Sequence, residues 1–107
     1  MHELSITRNI VSIVAERAAG RRVKAVRLKV GRLAGVEVEA LRFCFGVCCE
    51  GTSLAGAALE IEQPPGLGEC QGCGETHELE QPLGTCPCGG RLRLVSGDEL
   101  LVQSMEV

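Results

Sequence analysis

The 107-residue chain has no tryptophan and no tyrosine, and its aromatic content is two phenylalanines. Its core must therefore be assembled from Leu, Ile, Val and Ala, with Cys serving as a small hydrophobe. The scarcity of aromatics also removes the platforms on which single-stranded nucleic acid stacks. Surplus positive charge is missing too: the formal net charge is −3, and the one basic cluster, RRVKAVRLK, is interleaved with apolar residues. That combination argues against a nucleic-acid partner. No apolar stretch approaches the roughly 20 residues that span a bilayer. The opening MHELSITRNI lacks the basic-then-apolar-then-small order of a secretory signal. The expectation is a cytoplasmic protein of one domain, with room for a small satellite and no membrane partner.

Cysteine, by contrast, is plentiful. Seven is an odd number, and in a reducing compartment clustered pairs point to metal before disulfide. Four of the seven lie in CQGCGETHELEQPLGTCPCGG, as Cys70, Cys73, Cys86 and Cys88. Two thiolate pairs can converge on one tetrahedral Zn²⁺, and the neighbouring glycines permit tight turns beside each ligand. The second pair is C-x-C where the first is C-x2-C, so its turn differs from the usual four-residue knuckle. His77, in the spacer, is an alternative fourth ligand, although an exposed loop imidazole is its simpler reading. A closed site of four ligands folds the segment around it and leaves no position for substrate.

Around this cluster the hydrophobic period alternates between helix and strand. Ile6, Ile10, Ile13, Val14 and Ala18 recur at helical spacing, and Gly20 marks the C-cap region. Val26, Leu28 and Val30 then share one strand face, leaving Arg27 and Lys29 to a solvated face, with Gly31 closing the strand. Leu41, Cys44, Phe45 and Cys48 return to helical spacing, a helix ending near Gly51. On that stripe Cys44 and Cys48 are expected to pack as core, while Cys49 is expected to be semi-exposed and open to oxidation. Leu59 and Ile61 alternate with Glu60 and Glu62 until Pro64-Pro65. RLRLVSG and ELLVQSMEV read as strands about a turn at Gly97-Asp98. The fold expected is α+β: two helices packed on a small, mostly antiparallel sheet, with an inserted zinc-binding, rubredoxin- or ribbon-like subdomain. Residues 1–64 and 96–107 would form the main domain and 65–95 the insert, with QPPGLG as a turn or hinge.

The first residues offer a second metal site. The amine of Met1 with the amide nitrogen and imidazole of His2 closes fused five- and six-membered chelate rings, which suit Ni²⁺ or Cu²⁺. The carboxylate of Glu3 would add an oxygen or balance charge. A helix N-terminus disfavours a cation by about 0.3–1 kcal/mol, and protons compete for the same nitrogens. On these residues alone, a surface histidine is the simpler reading of His2.

The order of blocks changes that balance. MHELSI at the start, VGRLAGVEVEALRFCF, GAALEIEQPP, the paired cysteines and the closing SGDELLVQSMEV resemble the HypA/HybF family of hydrogenase maturation factors over essentially the whole chain. The resemblance implies a non-enzymatic nickel metallochaperone that delivers Ni²⁺ to the [NiFe]-hydrogenase large subunit with the GTPase HypB, and in some organisms feeds urease maturation. It implies nickel at Met1 and His2 with Glu3 beside them, and Glu37 as the nearest match to an acidic contributor opening the second helix. It also implies structural zinc at Cys70, Cys73, Cys86 and Cys88; the family usually has C-x2-C in its second pair, so this chain departs there. Two other classes fit the residues less fully: a zinc-ribbon protein-interaction module, and a redox protein using Cys70–Cys73 as a dithiol.

Overall fold

The computed structural model describes residues 2–107. The first helix, α1 (Glu3–Ala18), buries Thr7, Ile10, Val11, Val14 and Ala18, one stripe at helical spacing. Ile13, expected on that stripe, instead points outward and is half exposed, and Val11 and Thr7 take the buried face. Thr7 is wholly buried because its hydroxyl bonds back to the preceding turn, 3.0 Å from the Glu3 and Leu4 carbonyls. The helix stops one residue earlier than the glycine suggests. Ala19 takes the left-handed conformation at φ 53°, and the Arg21 guanidinium covers the Ala18 carbonyl at 2.8 Å.

The next elements are β1 (Ala25–Val30), α2 (Val38–Cys49) and β2 (Ala58–Glu62). β1 and β2 run parallel, which requires a long crossover, and α2 supplies it. The closing strand, β7 (Leu100–Glu106), pairs antiparallel with the other side of β1, giving the order β2-β1-β7. Val26, Leu28 and Val30 face the helices and are sealed from solvent. The opposite face is solvated as expected, with Arg27 beside Glu60 at 3.3 Å, a pair exposed enough to add little stability. On α2 the deepest line is Leu41, Phe45 and Cys49. The expected order of the cysteines is thus reversed: Cys49 is 2% exposed, whereas Cys44 and Cys48 are only half buried. Leu54, in the turn after α2, is a fully buried core residue that no periodicity announces.

Between β2 and β7 the chain builds a second sheet from β3 (Gly66–Cys70), β4 (Thr76–Leu79), β5 (Gly84–Thr85) and β6 (Arg91–Ser96), in the order β4-β3-β6-β5 and all antiparallel. β6 and β7 flank the turn at Gly97-Asp98 as expected, but each belongs to a different sheet. Cys70, Leu79, Cys86 and Leu92 form the centre of the second sheet, with Leu33 and Leu94 packed against them. The two sheets extend one after the other, and the molecule measures 54 × 22 × 16 Å.

The crossing between the sheets is tight and pinned. A side chain on Gly31 would overlap the Gly97 carbonyl, and one on Gly97 would overlap the Gly66 backbone. Leu33 N–H donates to Gly97 at 2.7 Å, Gly31 N–H to Glu99 at 2.8 Å and Arg32 N–H to Pro64 at 3.0 Å. The QPPGLG segment therefore lies fastened against the β1–α2 loop and does not hang as a free hinge. Gly31→Ala should destabilise the protein by at least about 3 kcal/mol, since backbone must move to admit the methyl group. Gly46→Ala, on the open face of α2, should stabilise it by about 0.5–1 kcal/mol. Urea denaturation of the two variants checks both.

Candidate metal centre

Each cysteine pair sits in a closed turn at the end of a strand. The first is closed by Cys70 N–H to Glu75 at 2.8 Å and Gly74 N–H to Cys70 at 2.9 Å. The second is closed by Cys86 N–H to Gly90 and Gly89 N–H to Cys86, both 2.8 Å. In each, a left-handed glycine follows directly on the second cysteine: Gly74 at φ 79° and Gly89 at φ 91°. The C-x-C pair is thus the same turn shortened by one residue on its inner side, and it still aims both sulfurs inward.

The four sulfurs lie within 4.8 Å of one another. They pair across the turns, Cys70 with Cys88 at 3.5 Å and Cys73 with Cys86 at 3.7 Å. A tetrahedral ion with Zn–S bonds of about 2.3 Å would hold its sulfurs about 3.8 Å apart. Both spacing and donor type therefore fit Zn²⁺. Cys70 and Cys86 are buried and Cys73 and Cys88 exposed, so the centre lies at the surface with its inner edge on the small core.

The backbone prepares this site for anionic sulfur. The Cys73 N–H at 3.4 Å, opposed in part by burial and joined by the Gly72 N–H at 3.3 Å, brings the Cys70 thiol down to about 6. At Cys86 the Cys88 N–H pulls downward, but burial and the neighbouring sulfurs outweigh it and push the thiol up to about 12. A bound cation removes that conflict by deprotonating all four. The dithiol reading loses its usual support here, because Cys70–Cys73 lies between two strands and not at a helix N-terminus.

His77 is not the exposed loop imidazole expected from sequence. It is half buried on β4, with Nε2 3.5 Å from Cys86 Sγ and 3.4 Å from Glu75 Oε2. Sequence reasoning considered His77 as a ligand but passed over Glu75. Glu75 immediately precedes β4, two residues from His77, and extended backbone aims residues at that spacing the same way; that was the available signal.

At the start of the chain, Met1 lies outside the described residues. His2 occupies the N-cap position of α1 without a side-chain cap bond, and its exposed imidazole is not engaged by the helix. Glu3 Oε2 accepts the N–H of Glu37, the N-cap of α2, at 3.0 Å. The two helix starts, and with them Glu3 and Glu37, are therefore side by side. The Glu37 N–H holds the Glu3 carboxyl below its ordinary range. Its contribution is present at neutral pH and fades only as pH falls through that lowered value. Among the described residues, the sets of three or more donors gathered within 4.8 Å both lie in the second sheet, and neither includes His2.

A helix-covered sheet joined to a small lobe built on four converging thiolates is the architecture of a two-part metal-handling protein. The chain belongs to the HypA family: the model described as hydrogenase/urease nickel incorporation, metallochaperone, matches residues 1–107. It is similar to the hydrogenase maturation factor HypA of Rippkaea orientalis, 49% identical over all of this chain and 96% of that protein. The HypA of Geobacter metallireducens is 48% identical over all of this chain and 99% of its own length. In fold it matches the solution structure of the Ni metallochaperone HypA from Helicobacter pylori, with a TM-score of 0.68, 20% identity and coverage of 99% of this chain and 97% of that one. No helix among the described residues is long and apolar enough to cross a membrane.

The burial of Cys49, reinforced by neighbouring Cys48, pushes its thiol up to about 11. Native-state alkylation should therefore modify Cys44 and Cys48 and spare Cys49 until denaturant is added, as peptide mapping would show. The unfolded chain ionises Cys49 at an ordinary thiol pKa while the folded chain does not, so stability should fall as pH rises above about 9. Cys49→Ala should flatten that fall in denaturation measured at successive pH values.

Proposed function

We propose that this protein binds Ni²⁺ at its N-terminus and delivers it for maturation of [NiFe]-hydrogenase. The observation that carries this reading is the bond between Glu3 and Glu37, which holds Glu3 beside the start of the second helix. His2 then projects from that anchored corner with its imidazole exposed. The Met1 amine, the amide and imidazole of His2 and the carboxylate of Glu3 supply the nitrogen-rich donor set that nickel favours, with Glu37 adding negative charge nearby. Both acids also offset the cost of bringing a cation to two helix N-termini.

A terminal chelate of this kind can be taken apart without unfolding the protein. Protons displace nickel from amine and imidazole, and a docking partner can supply replacement ligands. The GTPase HypB and the hydrogenase large subunit fill that role in this proposal, with urease maturation proteins as further clients. The compartment is the cytoplasm, and no catalytic step is assigned to the chain.

The four thiolates hold structural zinc, and residues 65–95 fold around it. Their core is little more than two buried leucines and two cysteines, too small to order such a lobe without a staple. Residues 1–64 with 96–107 have the larger core and fold independently of the zinc.

Titration of zinc-loaded, untagged protein with Ni²⁺ tests the delivery site. Wild type should bind one equivalent, and His2→Ala should lose it while retaining zinc. The remaining affinity for wild type should fall as pH is lowered, because protons compete for the nitrogen donors. Equal nickel binding by both proteins would move the cargo site elsewhere. Chelation of the zinc should abolish the β-sheet amide protection of residues 65–95 and leave the helical circular dichroism in place. Joint loss of both would mean the lobes fold as one unit.

A further inference from the structure

The side chains of Glu75, His77 and Cys86 form a second set of converging donors, within 4.8 Å of one another, on the outer rim of the four-thiolate centre. His77 Nε2 stands 3.5 Å from Cys86 Sγ and 3.4 Å from Glu75 Oε2. A single ring nitrogen carries either one proton or one lone pair, so it cannot serve sulfur and carboxylate as two good hydrogen bonds. The carboxylate contact is also long for a hydrogen bond. Both separations do match the edges of a coordination shell: bonds of about 2.0–2.3 Å at tetrahedral angles place neighbouring N, O and S donors about 3.3–3.8 Å apart.

The strand arrangement explains why these residues meet. β4 and β5 are opposite edges of the four-stranded sheet, and the sheet curls until Leu79 of β4 lies against Gly84 of β5. That closure brings His77 to Cys86, which directly follows β5. It also leaves a cleft of about 420 Å³ between the edges, lined by His77, Leu79, Leu83, Thr85 and Pro87 among others. Glu75 is 70% exposed and His77 33% exposed, so an ion can reach this set from water without opening the inner centre. Cys86 faces both sets, with Cys73 Sγ at 3.7 Å on one side and His77 on the other.

We infer that Glu75, His77 and Cys86 form a second, exchangeable site for a borderline divalent transition-metal ion, with the Cys86 thiolate bridging it to the zinc. The mixed oxygen, nitrogen and sulfur donors suit Ni²⁺, Co²⁺ or Zn²⁺ and not Mg²⁺ or Ca²⁺. With three protein ligands, one of them shared, the site keeps a coordination position open for solvent or an incoming donor. It is thus a place where an ion can be received or passed on, separate from the N-terminus.

The test uses His2→Ala protein carrying one zinc per chain, titrated with Co²⁺ under reducing conditions. The inference expects one Co²⁺ per chain to bind with zinc retained, and a sulfur-to-cobalt charge-transfer band to appear, which only a cysteine ligand can produce. His77→Ala and Glu75→Gln, in the same background and with zinc still at one per chain, should each weaken Co²⁺ about tenfold or more. Three results overturn it: no added Co²⁺, cobalt entering only as zinc leaves, or binding indifferent to both substitutions. Zinc leaving would mean that cobalt simply replaces it among the four thiolates and that the outer donors hold no ion of their own. Because His2 is absent throughout, the outcome is independent of whether the N-terminus carries nickel.

Discussion

The molecule depends on one crowded crossing, where Gly31, Gly66 and Gly97 bring three backbone segments into contact that any side chain would prevent. Close packing lets the β1–α2 loop bond to both connections linking the two sheets, at Pro64 and Gly97. An interior of this density transmits displacement and does not absorb it. The loop is tied in both directions. Leu33 packs into the core of the cysteine lobe, and four residues later Glu37 starts α2 and binds Glu3. A short run of sequence thus touches the thiolate lobe at one end and the N-terminal corner at the other.

The two regions of donors are built on opposite physical terms. In the cysteine lobe, backbone N–H groups and burial compete over Cys70 and Cys86, and a cation is the simplest resolution of that competition. A metal held there would be inseparable from the fold, which suits a structural ion. At the N-terminus, Glu3 meets Glu37 and His2 stands exposed, on helices that already rest on their own core. A nickel ion held there, as proposed above, could leave without disturbing that core.

The rim of the cysteine lobe belongs to neither extreme. Its donors include one buried sulfur and two groups that face water, so an ion there would share in the lobe's rigidity yet remain accessible. Curling of a four-stranded sheet is what brings them together, and pairing between adjacent strands alone would leave β4 and β5 on separate edges.

Sequence by itself determined the two helices, four of the seven strands, the inner face of β1 and the four clustered cysteines, because each is written in local period or spacing. It also carried the family resemblance. It misjudged Cys49, since helical period gives the direction of a stripe but not which of its flanks turns deepest into the core. It gave no sign of Leu54, whose burial comes from a turn folding back so that Ser53 accepts the Val23 N–H. Only the tertiary structure decided that β6 and β7 part into different sheets, that Glu3 reaches Glu37, and that Glu75 and His77 stand beside Cys86. These are meetings between distant segments, and they are set by how the glycine crossing and the curled sheet bring the chain back on itself.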